Sequence, residues 1–248
     1  MKCRIAVFSP DTKIPNKLLD IGSILWLPLI ELEPINGSSI EAIMYLKRCP
    51  IAVVVSPRTI EILVRDAENN KLMNVLIEAI KRSTVVVIGK GTAESIRNYL
   101  QMEPHIVSPK PFTEELMKYL ESMGIKCITL FKAEGGVIDV DRYPSMSIYV
   151  VKVYRYRVVE ENLELVKKLI ERRGIDVLAV TSYTIAKILC RKVESLNNLP
   201  LAVLGRTTAK AVTEFCRDVD SVLVGDGTIE MFREIIMNIC SEARRVFW

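Results

Sequence analysis

A strand-turn-helix module occurs twice in this chain, in the same order in each half, and that duplication restricts it to an α/β architecture in two parts. The first copy reads Ala52-Val-Val-Val-Ser56 and then an amphipathic run. A second strand, Val85-Val-Val-Ile-Gly89, leads from there into Lys90-Gly91-Thr92-Ala93. The second copy reads Val177-Leu-Ala-Val-Thr-Ser182 and another amphipathic run, then Leu201-Ala-Val-Leu-Gly205 into Arg206-Thr207-Thr208-Ala209. In both, a hydroxyl closes one apolar strand and a Gly-basic-x-Thr-Ala turn joins the next strand to its helix. A body of this kind is expected to present two facing sets of helix N-termini, suited to an anionic ligand.

Short apolar runs alternate with segments of helical period, which is the pattern of parallel α/β folds. Strands are expected at about 3–9, 51–56, 84–89, 105–108, 126–131, 176–181, 200–205 and 220–224. Ile60, Leu63, Val64 and Ala67 form one helical stripe, and Leu116, Tyr119, Leu120 and Met123 another. Ser38 with Glu41 reads as a capping box for a helix ending near Arg48. Thr113, followed by two glutamates after Pro109 and Pro111, reads as a helix start. Two stretches, 24–35 and 147–156, break the alternation and read as linker strands. Residues 36–146 then form an inserted domain, and 1–23 with 157–248 form a discontinuous one.

Composition excludes several classes. Half of the 248 residues are hydrophobic and 26% are charged, the balance of a globular protein. No apolar run approaches the roughly 20 residues of a membrane span, and the start reads as a strand rather than a signal peptide. The net charge of +4 is spread along the chain with no basic block among aromatics, so no nucleic-acid surface is expected. The cysteines at 3, 49, 127, 190, 216 and 240 contain no C-x-x-C pair and read as buried free thiols of a cytoplasmic protein, not a zinc site. One Gln and one His beside abundant Ile, Val, Lys, Arg and Glu point to a thermophilic source.

Catalytic groups are scarce. Gly89-Lys90-Gly91-Thr92 lacks the glycine spacing of a phosphate loop. His105, at a strand start, stands at the wrong end of a parallel sheet for a site, so Ser56 and Ser182 have no base and read as hydrogen-bonding groups. Thr92 and Thr208 read either as helix N-caps or as ligand contacts. Tyr154 and Tyr156 alternate onto one strand face, as packing groups or as a phenol presented to a ligand.

These motifs together resemble uroporphyrinogen-III synthase. They are the strand end Val54-Val-Ser-Pro57, the Ile-Gly-x-x-Thr-Ala turn at 88–93, Val-Tyr at 153–154, Thr-Ser at 181–182, and Leu-Gly-x-Thr-Thr-Ala at 204–209. The resemblance covers nearly the whole chain. It implies two HemD-type, flavodoxin-like parallel-sheet domains joined by a two-stranded β linker. It implies a monomeric cytoplasmic enzyme that cyclises hydroxymethylbilane with inversion of the terminal ring and loss of water, without cofactor or metal. By motif position, Ser56, Gly89, Thr92, Ser182, Gly205 and Thr208 are the expected substrate contacts, and Tyr154 the expected acid. The family's first strand commonly ends in Arg-Pro where this chain has Ser9-Pro10. The competing class is a non-catalytic two-lobed binding or regulatory module for an anionic metabolite.

Overall fold

A computed structural model describes residues 2–9, 14–108, 113–135, 138, 140–217, 219 and 221–246. Pro10, Pro109, Pro111 and Trp248, which entered the sequence reading, lie outside them. The chain divides into two compact units. A discontinuous one holds Met1–Glu31 and Arg157–Trp248, and a continuous one holds Leu32–Tyr156.

The discontinuous unit is built on β1 (Arg4–Phe8), β2 (Ser23–Leu27), β9 (Val177–Val180), β10 (Leu201–Val203) and β11 (Val222–Val224), in the order β11-β10-β9-β1-β2, every pair parallel. Its helices are α6 (Glu160–Glu171), α7 (Tyr183–Lys192), α8 (Arg206–Phe215) and α9 (Ile229–Val246). The second sheet comprises β3 (Ile30–Pro34), β4 (Ile51–Val54), β5 (Thr84–Ile88), β6 (Ile106–Ser108), β7 (Cys127–Ala133) and β8 (Ser147–Val158). It runs β3-β8-β7-β4-β5-β6. The helices of the continuous unit are α1 (Ser38–Arg48), α2 (Pro57–Asn69), α3 (Met73–Lys81), α4 (Gly89–Leu100) and α5 (Thr113–Ser122).

Strands covered by helices on both faces carry continuous β-branched runs, because neither face meets water. Val85, Val86 and Val87 are fully buried for this reason, as are Val177 to Val180. In the continuous unit, Val54, Val87 and Phe131 pack with α1, α2 and α4 on one face of the sheet, while Val53, Val86 and Leu130 pack with α5 on the other. The α2 stripe Ile60, Leu63, Val64 and Ala67 is buried as its period requires. The α5 stripe is not: Leu116, Met117 and Leu120 face the core, and Tyr119 and Met123 stand about half exposed.

Several local expectations are corrected by long-range contacts. The stretch 24–35 is two strands, not one linker: β2 pairs in parallel with β1, and only β3 lies beside β8. The Ile35 N–H donates to the Val153 carbonyl and the Val159 N–H to that of Leu29, so β3 and β8 run in opposite directions. The 147–156 stretch belongs to β8, a full member of the sheet that pairs in parallel with β7. The helix after Ser38 starts as expected, but no capping box forms. Gly37 is the N-cap, at φ +81°, and the buried Asp66 of α2 takes the orphan donors, accepting from Gly37 N–H (3.0 Å), Ser39 N–H (2.8 Å) and Ser39 Oγ (2.6 Å).

The cysteines are paired, not free: Cys3–Cys240, Cys49–Cys127 and Cys190–Cys216 are disulfides. Each closes within one unit. Cys127 opens a strand, and Cys3 and Cys49 stand just before one. Cys190 lies in the last turn of α7, and Cys216 just past α8. In a parallel βαβ arrangement, strand starts and helix ends share one edge of the sheet. All three staples therefore sit opposite the edge where ligands bind.

Candidate active site

At the C-terminal edge of each sheet the two units follow one plan. Phe8 of β1 pairs with Val180 of β9, and Val180 with Val203 of β10. In the continuous unit Phe131 of β7 pairs with Val54 of β4, and Val54 with Val87 of β5. Continuing each register by one residue matches Ser9 with Lys132, Thr181 with Val55 and Leu204 with Ile88. One residue further, Ser182 matches Ser56 and Gly205 matches Gly89.

The paired serines sit alike and bond differently. Ser182 is the N-cap of α7, and its Oγ accepts the Ile185 N–H at 3.4 Å. Ser56 is the N-cap of α2, where Pro57 holds the first helical position and no side-chain cap bond forms. The Ser56 hydroxyl is therefore not taken up by its own helix.

The paired glycines also differ. Gly89 opens α4 at φ +72°, a left-handed conformation that favours glycine, and a Cβ there would meet nothing within 4 Å. Gly205 is extended, which any residue adopts, but its Cβ would approach the Gly227 backbone to 3.3 Å. The turn after β10 lies against the turn after β11, and the Gly227 N–H donates to the Leu204 carbonyl at 2.9 Å.

Thr92 and Thr208 are not N-caps: Ile88 and Gly205 hold those places. Both threonines lie inside the first turn and are buried, at 2% and 4% exposure. The backbone N–H groups of these turns and the helix dipoles supply positive potential, to which Lys90 and Arg206 add their charge. At α9 that capacity is already used. Asp226 accepts from the Thr228 hydroxyl (2.6 Å) and N–H (2.8 Å), bonds that hold its carboxyl below the usual carboxylate range.

Tyr154 lies opposite Ala133, the last residue of β7, after a register shift between Lys132 and Ala133. That puts it at the same edge of the continuous unit as Ser56 and Gly89. It shares a face with Tyr156, ring edge against ring face at 5.6 Å, and its ring is buried with Phe131 and Val54. Among the described residues no hydrogen bond ties its hydroxyl. His105 is structural: its N–H donates to the Val85 carbonyl and its Nδ1 accepts the Val85 N–H, extending the β5–β6 ladder at the opposite edge. Among the described residues no group of three or more His, Cys, Asp or Glu is placed to hold a metal ion, and no helix is long and apolar enough to cross a membrane.

The apolar run that marks its strand in the sequence ends at 131, so Lys132 does not stand out there as a site residue. The residue is 9% exposed, and Nζ donates to the Ile138 carbonyl at 3.3 Å. The signal that marks it is the duplication itself, which sets Phe131-Lys132 against Phe8-Ser9.

Comparison with known proteins agrees with this plan. Residues 22–235 match the family model of uroporphyrinogen-III synthase HemD. No curated protein sequence matches the chain. A mutant uroporphyrinogen III synthase from the extremely thermophilic bacterium Thermus thermophilus superposes with a TM-score of 0.65 at 13% identity, covering 98% of this chain and 99% of that one. The wild-type protein in a second crystal form gives 0.50 at 15% identity, over 99% and 100%.

Proposed function

The chain belongs to the uroporphyrinogen-III synthase HemD family of tetrapyrrole biosynthesis, and from that premise we propose how its own residues cyclise hydroxymethylbilane. This linear tetrapyrrole bears an acetate and a propionate on each ring. Electron push from the pyrrole nitrogen breaks the C–O bond of its hydroxymethyl group, the hydroxyl departing as water and the methylene carbon staying as the electrophile, so the protein has to assist that departure and hold one fold of the chain. Positioning is then the main contribution, steering closure toward the product with the terminal ring inverted. The observation that carries this reading is the matched pair of strand-end sets within a chain of this family.

In the proposal, the turns at Gly89 and Gly205 present backbone N–H groups to substrate carboxylates, a favourable use of two helix N-termini. Ser56 and Ser182 add hydroxyl contacts. Thr92 and Thr208, buried in the first turns, set the backbone that makes those contacts. Tyr154 protonates the departing hydroxyl, and the reaction is a cyclising loss of water. A phenol is protonated near neutral pH and needs no tuning to donate. We propose a monomer without nucleic-acid partners, working in the cytoplasm.

Exchange of Tyr154 for Phe tests this chemistry. A positioned acid contributes about 10²–10⁴-fold, so Tyr154→Phe is expected to lower kcat by about 10²-fold or more with KM and fold retained. Tyr156→Phe is expected to change kcat little. Near-full turnover of Tyr154→Phe with unchanged type III selectivity would leave Tyr154 as a packing residue only.

A further inference from the structure

Of the three disulfides, Cys190–Cys216 is the one with neither half buried. Cys3, Cys240 and Cys49 are buried, so each other pair has at least one shielded half, while Cys190 and Cys216 are both partly exposed. Their surroundings favour exchange with a thiol. The Arg191 guanidinium lies 4.4 Å from the centre of the Phe215 ring, and the Lys187 ammonium 5.4 Å from it. Arg217 follows Cys216. Glu214, a carboxylate of the same helix end, is shared between the Tyr183 hydroxyl at 2.9 Å and Lys210 at 3.7 Å. Positive potential around the sulfurs draws an attacking thiolate and stabilises the departing one.

The bond joins the last turn of α7 to the C-cap of α8, and these are the helices that start at Ser182 and Gly205. A helix of this length spans about 15 Å, so the sulfurs stand one helix length from those turns. Other contacts also tie the pair together: the Tyr183 ring meets Phe215 edge to face at 6.2 Å, beside the Tyr183–Glu214 bond. The two helices therefore have packing that survives when the disulfide opens. The segment it closes is the shortest of the three, a separation of 26 residues against 78 and 237, so its loss frees the unfolded chain least.

We propose that Cys190–Cys216 is a redox-operated clasp on the α7–α8 pair, opened by a dithiol reductant in a chain that stays folded. One reductant thiolate attacks a sulfur of the pair and forms a mixed disulfide, and the other cysteine leaves as thiolate. The second reductant thiol then displaces the first. Two electrons and two protons pass to the cysteines, and the reductant becomes a disulfide. A carboxylate held at the Ser182 and Gly205 turns has to still whatever motion the open clasp releases, so the reduced chain binds it more weakly. That consequence rests on the function proposed above, whereas the reducibility of the clasp does not.

The test poises the wild-type chain in a dithiothreitol redox buffer without oxygen, alkylates free thiols and maps them by mass spectrometry. Cys190 and Cys216 are expected to be labelled first, together, in a chain that keeps its circular dichroism, while the other two disulfides stay closed until it unfolds. In that state amide exchange should quicken in α7 and α8. KM for hydroxymethylbilane and Kd for uroporphyrinogen III should rise about fivefold or more, the low end of coupling between sites. The kcat should stay within about twofold, and reoxidation should restore both constants. By linkage, uroporphyrinogen III should make the pair harder to reduce by the same factor as its own loss of affinity. Cys190→Ser/Cys216→Ser should behave as the reduced chain and ignore the reductant. Labelling that begins at another pair, or only with unfolding, would overturn the clasp, as would unchanged exchange or unchanged KM and Kd after its reduction. If the wild type neither binds nor turns over these tetrapyrroles, the functional reading falls, and labelling with amide exchange decides the clasp alone.

Discussion

The discontinuous and continuous units share a strand plan and a helix plan, and they differ at the positions that would touch a ligand. Both end one strand in serine and the next in glycine, with a helix starting at each. Yet Ser182 caps its helix and Ser56 does not, while Gly205 is needed for close approach and Gly89 for its left-handed backbone. Ser9 occupies the register position in the discontinuous unit that Lys132 holds in the continuous one. Residues that look duplicated in sequence therefore do different physical work, and the duplicated part is the scaffold rather than the chemistry.

The largest difference expected between the units concerns their staples. Two disulfides lie in the discontinuous unit and one in the continuous unit. Each is worth about 2–4 kcal/mol by constraint of the unfolded chain. With a dithiol reductant, calorimetry should show the discontinuous unit losing more stability, with limited proteolysis identifying it as the first to open. An identical thermogram with and without reductant would contradict the pairing.

The glycines come next. Gly89→Ala places a Cβ in a left-handed residue, a strain of about 1–2 kcal/mol, and has open space around it. Its loss should appear as stability of the continuous unit with little structural displacement. Gly205→Ala should instead move the Gly227 turn, seen as amide shift changes at 225–228. If the two variants give the same pattern, the glycines are equivalent after all.

The smallest contrast is between the serines. Ser182→Ala removes a cap and should cost about 1 kcal/mol in denaturant unfolding, within the usual range for caps. Ser56→Ala should cost almost nothing in stability, and each should lower activity only modestly, by one hydrogen bond or about 0.5–1.5 kcal/mol. Complete loss of activity in folded Ser182→Ala would point to direct chemistry at that hydroxyl.

Much of the scaffold was legible because its signals are local. Strands sealed on both faces read as unbroken apolar runs, and Val85-Val-Val-Ile88 needs no tertiary information to be recognised. The features that local sequence does not show depend on partners far along the chain. Cys3 meets Cys240 at a separation of 237 residues, and Asp66 caps a helix that begins 28 residues earlier. The break between β2 and β3 is fixed by pairing with β1, on a different sheet from β8. Lys132 was hidden for a related reason: a lysine usually ends a strand, and only register shows it inside a buried row. The motif positions of the candidate site were legible, but which hydroxyl is occupied by its own helix was not.

The central claim, that this duplicated scaffold directs ring closure of a linear tetrapyrrole, is tested most directly by its product. Freshly generated hydroxymethylbilane is incubated with the wild-type protein, and the oxidised products are separated into type I and type III isomers. The account predicts predominantly type III, formed faster than spontaneous closure. Type I alone, at the spontaneous rate and in the presence of folded protein, would contradict it.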